Sequence, residues 1–152
     1  MGEHTPDQLN PRAVELALAA LGAAIATDDD TASAALATIV TETGAPGLMD
    51  AIYVWCDTLI TQAGPSAMFL DVEWADDETG HVIAPQDVPA EAQWAGRLLT
   101  ARAEDDEETF VTLMRDLGTD PLRVADHVGA LFDLVAVNLR RALDARRRAA
   151  LS

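Results

Sequence analysis

Residues 10–30 read NPRAVELALAALGAAIATDDD, and this stretch decides the fold class. Asn10 puts a capping side chain ahead of Pro11, and proline is well placed at a first helical position because its missing N–H would have no helical partner there. Val14, Leu18, Leu21 and Ile25 then recur at the spacing of one helix face, and Asp28-Asp29-Asp30 ends the pattern. The stretch predicts an amphipathic helix closed by an acidic turn.

The same grammar continues in both directions. A second helix is expected over about 31–42, with Leu36, Ile39 and Val40 inward, until Gly44-Ala45-Pro46-Gly47 breaks it. A third carries Met49, Ile52, Cys56, Leu59 and Ile60 and stops at Gly64-Pro65. Upstream, Thr5-Pro6-Asp7-Gln8 reads as a short capped turn. The later half repeats the plan. Pro89 opens a helix with Trp94, Leu98, Leu99 and Ala101, and Asp105-Asp106-Glu107-Glu108 leads into a short one with Phe110, Leu113, Met114 and Leu117. Gly118 closes that helix, and Asp120-Pro121 caps a last one that runs to about 148.

At an offset of 77, Ala24, Asp28 and Leu36 meet Ala101, Asp105 and Leu113; at 76, Asp50, Ile52, Asp57 and Leu59 meet Asp126, Val128, Asp133 and Val135. The expected fold is therefore all-α: a helical bundle of two tandem three-helix repeats, about 11–63 and 88–149, in a single domain spanning 1–152. The linker 64–87 has a different period. Met68, Leu70, Val72 and Trp74 alternate with Phe69, Asp71 and Glu73, and His81-Val82-Ile83 can return as a second strand. Such a β-hairpin is marginal alone, so it is expected to lie on the helices or to pair with that of a second subunit.

Composition narrows the function. The chain has 29 alanines, 5% aromatic residues, and ten basic residues that are all arginine. A net charge of −16 argues against nucleic acid, whose binding relies on clustered cations. No run of apolar residues is long enough for a membrane span, and no leader pattern opens the chain, so a cytoplasmic location is the default expectation. Charge is uneven: residues 1–139 hold five arginines and 25 acids, net −20, whereas 140–152 hold five arginines and Asp144, net +4. The basic end is expected to complement the dipole of the last helix through Arg146, Arg147 and Arg148, or else to dock on an acidic surface, another copy being one example.

Candidate chemistry is sparse. The lone Cys56 lies in an apolar pattern and reads as a buried thiol. Asp50, Asp57, Asp126 and Asp133 are expected on outer helix faces, which counts against a shared metal. The hairpin residues Asp71, Glu73, Asp76, Asp77, Glu78 and His81 are the densest set of candidate metal ligands, with Asp71, Glu73 and His81 the foremost of them, and they match no calcium loop or zinc-protease motif. His127 follows Asp126, but adjacent helical residues diverge, so the two do not pair. Trp55, Trp74 and Trp94, with Met68, Leu70 and Val72, are candidates for a ligand pocket or interface, because such sites are rich in aromatic and apolar side chains. No cofactor is called for. The preferred expectation is a non-catalytic protein-interaction or assembly domain that forms a homodimer. The alternatives are a small-molecule binding domain with an apolar pocket between the repeats, and a metal-dependent hydrolase using the acidic hairpin.

Overall fold

A computed structural model describes residues 9–63 and 89–151. Among these residues there are five helices and no strand: α1 (Pro11–Ile25), α2 (Asp29–Ala63), α3 (Ala90–Ala103), α4 (Glu107–Asp116) and α5 (Pro121–Leu151). The expected N-terminal turn and hairpin lie outside the described residues.

Four of the five helices start on a capping side chain, and α3 starts after Pro89 without one. The Asn10 side chain accepts the N–H groups of Arg12 and Ala13, which α1 itself leaves without partners. Asp28 and Asp106 do the same for Thr31 and Thr109 ahead of α2 and α4. Asp120 accepts from Leu122 at the start of α5. Inside α2 the backbone leaves helical geometry at Gly44, with φ 68° and ψ −164°, a combination essentially restricted to glycine. Pro46 follows at the start of the resumed helix, where its missing N–H does no harm. Thus the break predicted at 44–47 is present, although helix continues on both sides of it.

The described chain divides into two units. The first comprises Met1–Gln62 and Val135–Ser152, the second Ala63–Leu134, so the division falls within α5. In the first unit α1 buries Ala13, Leu16, Ala17, Ala20, Leu21 and Ala24, the i, i+3, i+4, i+7, i+8, i+11 stripe of an amphipathic helix. This corrects the expected stripe: Leu18 is 48% exposed, and Val14 and Ile25 lie at the margin. Alanines occupy the inner face, so the backbones pack close together. Val40 and Met49 are likewise exposed rather than inward, while Ile39, Ile52, Trp55, Cys56 and Leu59 are buried as expected. Val135, Ala136 and Leu139 complete this core.

In the second unit α3 packs on α4. Trp94, Ala95, Leu98 and Leu99 bury with Phe110, Leu113, Met114 and Leu117, and with Val128, Leu131 and Phe132 of α5. Arg102 lies over the Phe110 ring, its guanidinium carbon 5.8 Å from the centroid.

The turn after α1 and the turn after α3 have the same hydrogen-bond pattern. The Asp28 N–H reaches the Ala23 carbonyl and the Asp106 N–H reaches Ala101, each at 2.8 Å, while Thr27 and Asp105 donate to Ala24 and Arg102. Thr27 and Asp105 both take left-handed backbone angles, φ 60° and 58°. This is the double carbonyl cap that ends many helices, with Thr27 and Asp105 where glycine is usual. The two turns superimpose in sequence at an offset of 78, not 77, so Asp28 corresponds to Asp106 rather than Asp105.

Candidate functional site

Of the residues singled out by sequence, Trp55 and Trp94 are buried, each within its own unit. The Trp55 indole is fully buried and donates to the Ala17 carbonyl at 3.1 Å. Trp94 donates to the Leu113 carbonyl at 2.8 Å, so each ring spends its polar edge on a neighbouring helix of its own unit. Trp74, Met68, Leu70, Val72, Asp71, Glu73 and His81 lie outside the described residues. Among the described ones, no three His, Cys, Asp or Glu side chains converge to hold a metal ion.

His127 is buried, with its ring edge-on to Trp94 at 5.5 Å between centroids. Its Nδ1 sits 2.8 Å from the Arg123 carbonyl, which can only accept, so Nδ1 carries the proton. Asp126 points to solvent and is no partner for it. Asp57 and Asp133 are also exposed, as expected. Asp50 is not: only 8% exposed, its Oδ2 accepts the Asn10 N–H at 3.0 Å. The outward placement expected for Asp50 is therefore corrected. It faces the start of α1, and the carboxylate satisfies a backbone donor.

The most distinctive arrangement is the end of α5, where Arg140 and Arg146 of the basic tail bond to other helices while Arg141, Arg147 and Arg148 are exposed. At 100° per residue, Arg141 and Arg148 lie about 20° apart, whereas Arg146 lies about 140° from Arg141. Arg140 and Arg146 are occupied. Arg140 donates from one terminal nitrogen to the Ala24 carbonyl at 2.9 Å, near the end of α1. Its Nε is buried without a hydrogen-bond partner. Arg146 donates to the Gln62 side-chain oxygen at 2.6 Å and to the Gln62 backbone carbonyl, one residue from the end of α2. Helix C-termini carry unsatisfied carbonyls and partial negative charge, and a cation there stabilises by about 0.3–1 kcal/mol. Two of the arginines therefore cap other helices rather than their own. Arg148 stands in the last turn of α5 itself, where a cation complements the helix dipole as expected.

An outward stripe of α5 carries Val137, Arg141, Asp144, Arg148 and Leu151, all exposed. Val137 is 40% and Leu151 83% exposed. No ion pair among the described residues involves Arg141, Asp144 or Arg148. In sequence the tail reads as one basic island. The 4-3-4-3 spacing of residues 137, 141, 144, 148 and 151 picks out one stripe along it.

No protein-family model matches the chain, and neither a curated protein nor a solved structure is significantly similar to it.

Proposed function

We propose that this chain is a non-catalytic interaction or assembly domain that forms a homodimer. The observation that carries the reading is the outward face of the α5 end, where two exposed apolar side chains, Val137 and Leu151, flank Arg141 and Arg148 on an otherwise acidic protein. Apolar and arginine side chains on one exposed helical stripe have the composition of an interface. Arg140 and Arg146 serve the protein's own helix ends, which leaves Arg141 and Arg148, with the exposed Arg147 beside them, available to a partner.

The same reading includes an internal duplication. It is supported by the recurrence, 78 residues apart, of the turn, its left-handed residue and its capping Asp and Thr. A cytoplasmic location belongs to the reading as well, supported by Cys56, a buried free thiol. Among the described residues no helix is long and apolar enough to cross a membrane.

Native mass spectrometry of protein purified without chelator tests the proposal. A dimer with no added mass is the expected result. A monomer at every concentration rules out the dimer, and a stoichiometric bound small molecule or ion would favour a ligand-binding function instead.

A further inference from the structure

Resting on the homodimer reading, we infer that its contact surface is the outward face of α5, paired antiparallel with the same face of a second copy. Positions 137, 141, 144, 148 and 151 follow the alternating four- and three-residue steps of a helix seam, and all five side chains are exposed. In an antiparallel pair related by a twofold axis, residue i of one helix meets residue j of the other with i + j constant. Setting that constant at 285 brings Arg141 opposite Asp144 of the second copy and Asp144 opposite its Arg141. Val137 then meets the aliphatic stem of Arg148, and Arg148 meets Val137. Each of these four layers is complementary. Shifting by one heptad to a constant of 292 sets Asp144 against Arg148 and Arg141 against Leu151, which is also complementary, whereas a parallel pair sets Arg141 against Arg141 and Asp144 against Asp144. The pattern therefore specifies a direction as well as a face, and admits these two registers.

The seam is short. Residues 137–151 cover about 22 Å of helix, so the contact is reversible and sensitive to salt. Because the face is self-complementary, the assembly closes at two copies and does not propagate into fibres. Net charge does not oppose it locally. The seam itself carries two arginines and one aspartate, and repulsion between the acidic bodies is screened over about 8 Å at physiological ionic strength.

An isologous contact has a distinctive consequence for mixtures. Arg141→Glu sets a carboxylate against Asp144 in both symmetry-related layers and weakens dimerisation about tenfold or more, and Asp144→Arg does the same with two guanidinium groups. Mixing these two variants pairs the new carboxylate of the first with the new guanidinium of the second. The Asp144 retained by the first then faces the Arg141 retained by the second, so a heterodimer forms. The doubly exchanged Arg141→Asp/Asp144→Arg chain regains self-association for the same reason. Sedimentation equilibrium of the wild type, the two single variants, their equimolar mixture and the double exchange reads all of this, with far-ultraviolet circular dichroism confirming that each retains its helix. Loss in the singles with recovery in the mixture supports the inference.

A wild-type dimer that Arg141→Glu and Arg148→Glu both leave intact overturns the α5 seam while sparing the homodimer. A wild-type monomer at all concentrations overturns both. Co-sedimentation of monomeric wild type with vesicles of phosphatidylserine and phosphatidylcholine, reduced by Arg148→Glu, assigns the stripe to an anionic lipid surface and overturns the second copy as its occupant.

Discussion

The backbone N–H of Asn10 donates to Asp50 Oδ2 at 3.0 Å across 40 residues of chain, so a carboxylate on α2 fixes the residue that caps α1. The Asn10 side chain is meanwhile turned forward onto Arg12 and Ala13. One residue thus joins the end of a helix to its neighbour by its backbone and starts the helix by its side chain. Asp50→Ala removes the acceptor of a part-buried N–H, and is expected to cost about 1.5–3 kcal/mol. Asp50→Asn keeps an oxygen in place and should cost less. Urea unfolding of the two variants checks the order, and equal losses would mean that the side chain acts only by filling space.

The class of fold was legible because caps and breakers are local. Asn10-Pro11, Gly44, Asp120-Pro121 and Gly118 act within a few residues, and each lies where sequence reasoning puts it. Faces are harder to read. On α1 the eye follows Leu18 and Val14, yet burial follows Ala13, Ala17, Ala20 and Ala24, because closely packed helices accept small side chains inside. Asp50 misleads for a similar reason: a carboxylate reads as outward until its backbone partner, 40 residues away, is known. The acidic run 105–108 hides which residue caps α4. Thr109 could have decided it, since Asp28 and Asp106 each precede by three residues the threonine that they cap. The Arg140 and Arg146 contacts span 116 and 84 residues and have no local signature at all.

Gly47 is required by close approach rather than by its own backbone angles. A Cβ built there would overlap both the hydroxyl and the Cβ of Thr43. Gly47→Ala is therefore expected to destabilise by about 1–3 kcal/mol, the usual range for forcing extra atoms into a filled space. Removing the Thr43 hydroxyl should not rescue it. Thr43→Ala keeps the Cβ that stands in the way, so the Gly47→Ala/Thr43→Ala double variant stays destabilised, whereas Thr43→Gly provides room. Chemical denaturation of the set distinguishes a clash at the Cβ from one further along the side chain.

Asp28 and Asp106 should titrate alike. The Thr31 hydroxyl donates to Asp28 at 2.6 Å and the Thr31 N–H donates at 3.2 Å; Thr109 does the same for Asp106 at 2.7 and 3.2 Å. Chiefly the hydroxyl bond, and then the backbone one, holds each carboxyl below its ordinary value. A depressed folded-state value means that the associated stabilisation is fully present above the unfolded value, near pH ~4, and is lost as pH falls through the folded one. Carboxyl carbon shifts followed by NMR under increasingly acidic conditions should place both midpoints below those of exposed aspartates that lack such donors. Thr31→Val and Thr109→Val should each raise only the midpoint of the neighbouring aspartate. A common shift of both would mean that the hydroxyl contacts do not set these values.

Thr27 is the costliest residue type for its position. It occupies the left-handed site that closes α1, φ 60°, where a β-branched side chain crowds the backbone. Asp105 holds the same place after α3, φ 58°, but aspartate tolerates that region better. Glycine removes the crowding at either site, while its larger freedom in the unfolded chain offsets part of the gain. Thr27→Gly should therefore raise stability by about 0.5–1 kcal/mol, and Asp105→Gly by less. The Thr27 hydroxyl donates to the Ala26 carbonyl at 2.6 Å, but this bond is exposed and water replaces it readily. Thermal and urea unfolding of both variants tests the order. A larger gain at Asp105 than at Thr27 would mean that charge repulsion within the acidic run, rather than backbone strain, sets the cost of these turns.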